Sequence, residues 1–137
     1  MVASTFISFF LVSRNNQHIT MLDSQIRDRK IMIQDISNNI EQKRSQVTTL
    51  VLLDFVADKN KKKTKQVREK YLHILPNLKD ESSAVEILEE FESHRNDKYE
   101  EIDLVYIEQI TLEREKHHLE QTNKNFSSIA TLLQIIG

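Results

Sequence analysis
A chain of 137 residues with 39% hydrophobic, 7% aromatic and 29% charged residues, and no Trp, has the balance of a long-helix protein rather than that of a compact, enzyme-like core. Its one Gly is residue 137 and its one Pro residue 76, so almost nothing between forces a turn, which argues against a sheet-rich fold. The lack of Cys excludes disulfides and thiolate chemistry, and a net charge of -2 conceals a basic segment from Lys59 to Lys70 followed by an acidic one from Asp80 to Glu92.

Residues 1–16 read as an apolar arm. Met1 to Val12 is nearly uncharged and holds Phe6, Ile7, Phe9, Phe10, Leu11 and Val12, too short a run to span a bilayer. It also lacks the basic start and small-residue cleavage pattern of a signal peptide. The leading expectation is an arm docked on this chain or a partner, with an interfacial membrane anchor and a processed leader as alternatives. Ser13 to Gln17 is a polar interruption.

Residues 17–57 read as the first coiled-coil helix. Ile19, Ile26, Ile33, Ile40 and Val47 step by seven, and Leu22, Ile36 and Leu50 follow at three, the 3,4 alternation of a helix that buries a narrow seam. Residues 58–79 then form a basic connector, a short amphipathic piece and a turn. The connector carries Lys59, Lys61, Lys62, Lys63, Lys65, Arg68 and Lys70; Val67, Tyr71, Leu72, Ile74 and Leu75 restore an apolar stripe before Pro76 disfavours further helix. Residues 80–137 are the second coiled-coil helix. Asp80 or Ser82 caps it with Glu86 near its positive end, and it runs through Val85, Leu88 and Phe91 to about Ile136. Its ladder is Val105, Leu112, Leu119, Phe126 and Leu133, with Ile102 three residues before.

The expected fold is therefore all-α, an elongated antiparallel helical hairpin or coiled coil completed by partner helices. Opposing residues whose numbers add to 152 pairs Val47 with Val105, Ile40 with Leu112, Ile33 with Leu119, Ile26 with Phe126 and Ile19 with Leu133, all centred on Pro76. That register also sets Lys43 against Gln109, Arg29 against Asn123 and Asp54 against Lys98, at the cost of facing Ile36 with Lys116. The rival arrangement pairs each helix with other chains. Either way Ile31, Met32, Leu52, Leu53, Phe55 and Val56, and on the second helix Leu104, Tyr106, Ile107 and Ile110, lie beside the seam. A large side chain fully removed from water contributes about 1.5–3 kcal/mol, so further helices are expected to cover them.

No residue pattern points to catalysis. His18, His73, His94, His117 and His118 show no metal-ligand spacing, and adjacent helical residues such as His117 and His118 diverge by about 100°. Acidic pairs such as Glu89 with Glu90, or Glu100 with Glu101, sit in charge-rich helix without an apolar pocket to raise a carboxyl pKa. A terminal Gly allows neither a phosphate-cradling loop nor a nucleophile elbow. The expectation is a non-enzyme with no cofactor, no metal and no small-molecule substrate. Only the lysine run offers direct ligand binding, to a nucleic-acid backbone, and it competes with two simpler readings: solvation against the acidic segment, and a nuclear-import address.

The segment Ile129, Ala130, Thr131, Leu132, Leu133, Gln134, Ile135, Ile136 and Gly137, after a polar helix through Lys116, Leu119, Gln121 and Asn125, resembles the C-terminal part of centromere protein H and related inner-kinetochore subunits. The likeness covers about twenty residues. The family pattern continues past such a glycine into a short Trp-containing motif that this chain lacks, which implies a truncated chain. The resemblance implies an all-helical subunit that pairs along its length with a sister subunit and helps join centromeric chromatin to the microtubule-binding machinery, with nuclear, chromosomal localisation; without it, a cytoplasmic setting is equally consistent. The expected role is a coiled-coil scaffold subunit of a heteromeric complex, with Ile19, Ile26, Ile33, Ile40, Val47, Ile102, Val105, Leu112, Leu119, Phe126 and Leu133 as its partner interface. Stable membrane association is not expected. The alternatives are a membrane-tethering or trafficking protein anchored through residues 1–12, and a nucleic-acid-associated protein using Lys59 to Lys70.

Overall fold
The computed structural model describes residues 2–56, 65, 69, 75 and 83–136. They form two long α-helices, α1 (Val2–Val56) and α2 (Ala84–Ile136), which pack on each other as a hairpin, with no strand among the described residues. The absence of Gly and Pro within either span leaves no residue with positive φ and nothing to interrupt the i to i−4 ladder. Ser and Thr, ordinarily poor in helix interiors, are accommodated by turning their hydroxyls back. Thr20 donates to the Asn16 carbonyl, Thr48 to Arg44, Thr111 to Ile107 and Thr131 to Ser127, each four residues earlier.

α1 begins at Val2, well before the expected coiled-coil boundary, and passes through Ser13 to Gln17 without a break. Those residues are polar but not helix-breaking, and Asn15 and Asn16 are occupied by side-chain hydrogen bonds to Asn123 of α2. The start of α2 is set by Ser83. Its Oγ accepts from the Glu86 amide at 3.3 Å while the Glu86 carboxylate accepts from the Ser83 amide at 2.6 Å, a reciprocal capping box that satisfies two otherwise unpaired donors. The cap is one residue beyond Ser82. Asp80, Ser82 and Pro76 lie outside the described residues, as does most of the basic connector.

The chain divides into two compact units: Met1–Met32 with Val105–Gly137, and Ile33–Leu104. In the second unit a closed core gathers Val47 and Leu50 from α1, Ile87 and Phe91 from α2, and Leu75 from between the helices, with Val51 packed against it. Leu75 and Ile87 are each only 1% exposed. α2 runs through Val85, Leu88 and Phe91 as expected; the buried phase is Ile87 and Phe91, one helical turn apart, while Val85 and Leu88 are exposed. In the first unit the buried apolar residues are Leu22, Ile26 and Val105, joined by Gln109. Their spacing of four within each helix makes a single thin stripe.

Candidate partner interface
The seam of the first unit is bounded by hydrogen bonds and ion pairs that fix its register. Asn15 Nδ2 donates to Asn123 Oδ1 at 2.8 Å (index sum 138), Lys116 Nζ lies 2.6 Å from Asp23 (139), and Arg29 Nε lies 2.7 Å from Glu108 (137). Longer contacts, His18 to Glu115 at 3.5 Å and Lys30 to Glu113 at 3.9 Å, flank them on both sides of that value. The expected sum of 152 is therefore displaced by two heptads. Sliding one helix by seven or fourteen residues keeps its apolar face on the seam, so periodicity alone leaves the choice open and polar matching makes it. In the displaced register Lys116 has a carboxylate partner instead of facing Ile36, and Asn123 meets amides instead of Arg29.

The second unit has its own polar layer. Lys43 Nζ lies 2.8 Å from His94 Nε2, an index sum of 137, in place of the expected pairing with Gln109. Gln109 donates instead to Glu113 on its own helix. Lys98, expected to meet Asp54, is bound to Glu101 one turn along α2. Since the Lys43 ammonium has only protons to offer, His94 accepts at Nε2 as the neutral imidazole. Burial, then the Lys43 and Lys98 charges, hold the His94 pKa below its ordinary value. Burial, then Lys98, likewise lower that of Lys43. In the first unit the hydrogen bond to Asp23 raises the Lys116 pKa despite the opposing effect of desolvation.

The sequence-derived interface residues fall largely inside the hairpin. Ile26, Ile40, Val47 and Val105 are buried, and Ile19, Ile33, Ile102, Leu112, Leu119 and Phe126 are half-buried. Leu133 is the exception, 45% exposed. Of the basic set, Lys65 is described, as an exposed helical residue, and Lys59, Lys61, Lys62, Lys63, Arg68 and Lys70 lie outside the described residues. No family model matches the chain, and comparison with curated proteins and with solved structures returns no match.

What stays uncovered is the apolar surface off the seam. Ile31, Met32 and Leu52 on α1 and Leu104, Tyr106 and Ile107 on α2 are exposed. So are Phe6, Phe9 and Phe10 near the start of α1, and Ile129, Leu132, Ile135 and Ile136 near the end of α2. Ile87 and Leu75, central to the core of the second unit, were absent from the ladder reading. Counting back from Val105 by alternating threes and fours reaches Phe91 and Ile87, whereas Leu75 carries no periodic signal because it lies outside both helices. His117 and His118 are exposed, and no three His, Asp or Glu side chains among the described residues converge as metal ligands.

Proposed function
We propose that this chain is a non-enzymatic scaffold subunit of a multiprotein helical assembly, and that the assembly is the inner kinetochore, the complex that the C-terminal resemblance names. The observation carrying the scaffold reading is the division of labour among apolar residues. All of the heptad ladder except Leu133 is buried or half-buried within the hairpin, yet Leu104, Tyr106 and Ile107 remain in water beside the seam. Leaving several large side chains hydrated forgoes about 1.5–3 kcal/mol each, a cost that partner helices would recover. In that mechanism partners dock on the outer faces of the helices.

A fluorescent fusion expressed in cells of the source organism tests the assignment. Paired foci on condensed chromosomes are expected, together with proximity labelling of centromeric chromatin subunits. A membrane-bound pattern would instead favour tethering through residues 1–12, and no helix of the described residues is long and apolar enough to cross a bilayer. Diffuse staining with no enriched neighbours would contradict a scaffold role altogether.

A further inference from the structure
The lysine side chains of the two helices keep unlike company. Lys30 faces Glu113 at 3.9 Å, Lys116 faces Asp23 at 2.6 Å, and Lys98 is bound to Glu101. Each of these ammonium groups is matched by a carboxylate, and an ion-paired ammonium has no lone pair with which to attack an electrophile. Lys43 meets a neutral base instead. Within the second unit its Nζ lies 2.8 Å from Nε2 of His94, on the facing helix. The pair borders an open cavity of about 490 Å³, lined also by Asp35 and Asn39 from α1 and by Lys98 from α2. Burial, then the charge of Lys98, favours the free amine at Lys43, and a desolvated lysine beside a second cation is an activated nucleophile. Around His94 the charges are Lys43 and Lys98 on one side of the balance and Asp97 and Glu90 on the other, and the imidazole stays neutral.

We infer that Lys43 is a site of N-acylation by acyl phosphates, with His94 as the base that relieves Nζ of its proton. The ammonium first loses one proton to solvent. The amine keeps an N–H on His94 Nε2 and turns its lone pair, on the cavity side, to the carbonyl carbon of the donor. As the Nζ–C bond forms, His94 takes the shared proton; the C–O bond to phosphate then breaks, its electron pair leaves with the phosphate, and His94 returns the proton to water. Nothing is oxidised or reduced. Lys98, lining the same cavity, offsets the negative charge of the donor and of the tetrahedral intermediate. The product is an uncharged amide whose remaining N–H still donates to His94 and which Lys98 no longer repels, so the seam accepts the modification. Reactivity at this one side chain does not depend on which assembly the chain serves.

Acetyl phosphate is added to the purified full chain, and acetylation of Lys30, Lys43, Lys98 and Lys116 is followed over time by peptide mass spectrometry. Near neutral pH Lys43 should react roughly tenfold faster than the three carboxylate-paired lysines. His94→Gln, which keeps a hydrogen-bonding side chain and loses the titrating base, should slow Lys43 roughly tenfold while Lys30 and Lys116 keep their rates and helical circular dichroism is unchanged. As pH rises, the rate at Lys43 should level off before the rate at Lys116, because the Lys43 pKa is lowered by burial and that of Lys116 is raised by its bond to Asp23. The wild-type profile stands by itself should the variant fail to fold. A Lys43 rate no higher than those of the other three, a rate indifferent to His94→Gln in a folded chain, or a profile that levels off with or after that of Lys116 would overturn the inference. None of these outcomes bears on chromosomal localisation, so the two readings fail separately.

Discussion

The two units use the same helices and bury them differently. In Ile33–Leu104 a third segment contributes: Leu75 sits with Val47, Leu50, Ile87 and Phe91, and side chains from three directions exclude water from a closed core. In Met1–Met32 with Val105–Gly137 the buried apolar set is Leu22, Ile26 and Val105, and the flanks are held by ion pairs such as Lys116 to Asp23 and Arg29 to Glu108. Two helices alone cover one stripe of each other. A further chain segment closes a core, and where none is supplied polar pairs fix register without contributing much stability, since exposed ion pairs are worth about 0–1 kcal/mol.

This contrast is broken most directly by truncating one buried residue in each unit. Phe91→Ala should cost about 3–5 kcal/mol, because the surrounding core relaxes only partly around the cavity. Leu22→Ala should cost nearer ~2 kcal/mol, since a two-helix stripe can collapse or admit water. Urea titration followed by circular dichroism reads both; equal losses would remove the distinction between a closed core and an open seam.

The Lys43 and His94 layer sharpens it next. Replacing Lys43 by Met removes a partly desolvated cation near Lys98 and should stabilise the fold slightly, by about 0.2–0.5 kcal/mol once solvent screening is allowed for. The pH dependence has a definite sign. His94 has a folded pKa below its ordinary value, so between that lowered value and 6.5 the unfolded chain binds more protons. The stability it contributes is complete above pH 6.5 and is lost as pH falls through 6.5 toward the folded value. His94→Gln, which keeps an acceptor and cannot titrate, should flatten thermal stability between pH 7.5 and 5.5 relative to the wild type. At the other extreme the raised pKa of Lys116 contributes below about pH 10.5 and fades as pH rises through the folded value, a dependence that Asp23→Asn should abolish.

Smaller effects belong to the helix end and the surface pairs. Ser83→Ala removes the reciprocal cap with Glu86 and should cost about 1 kcal/mol, visible as faster amide exchange in the first turn of α2. Glu108→Gln, which unpairs Arg29, should cost about 0.2–1 kcal/mol at low salt and almost nothing at 1 M salt.

The hairpin and its buried faces were legible in the heptad ladders because a seven-residue apolar step has one physical meaning on a helix. Ile26, Ile40, Val47 and Val105 are buried where the ladders put them. The register was not legible in the same signal, which repeats every seven residues, and Pro76 drew the predicted centre seven residues along the chain, which offsets the pairing by two heptads. The information lay in polar residues instead: Asn15 with Asn123 and Asp23 with Lys116 find partners in one alignment and lose them in the other. Nor did periodicity reveal that Leu75, outside both helices, completes the core, or that His94 would serve Lys43 as an acceptor. Both depend on three-dimensional proximity between segments of unlike pattern.

Paired cysteines test the alignment most directly, in a chain that has none of its own. Ile19→Cys with Leu119→Cys should close an intramolecular disulfide on mild oxidation, and Ile19→Cys with Leu133→Cys, about 21 Å further along α2, should not. Rapid closure of the second pair in place of the first, or cross-links formed only between chains, would contradict the hairpin as described.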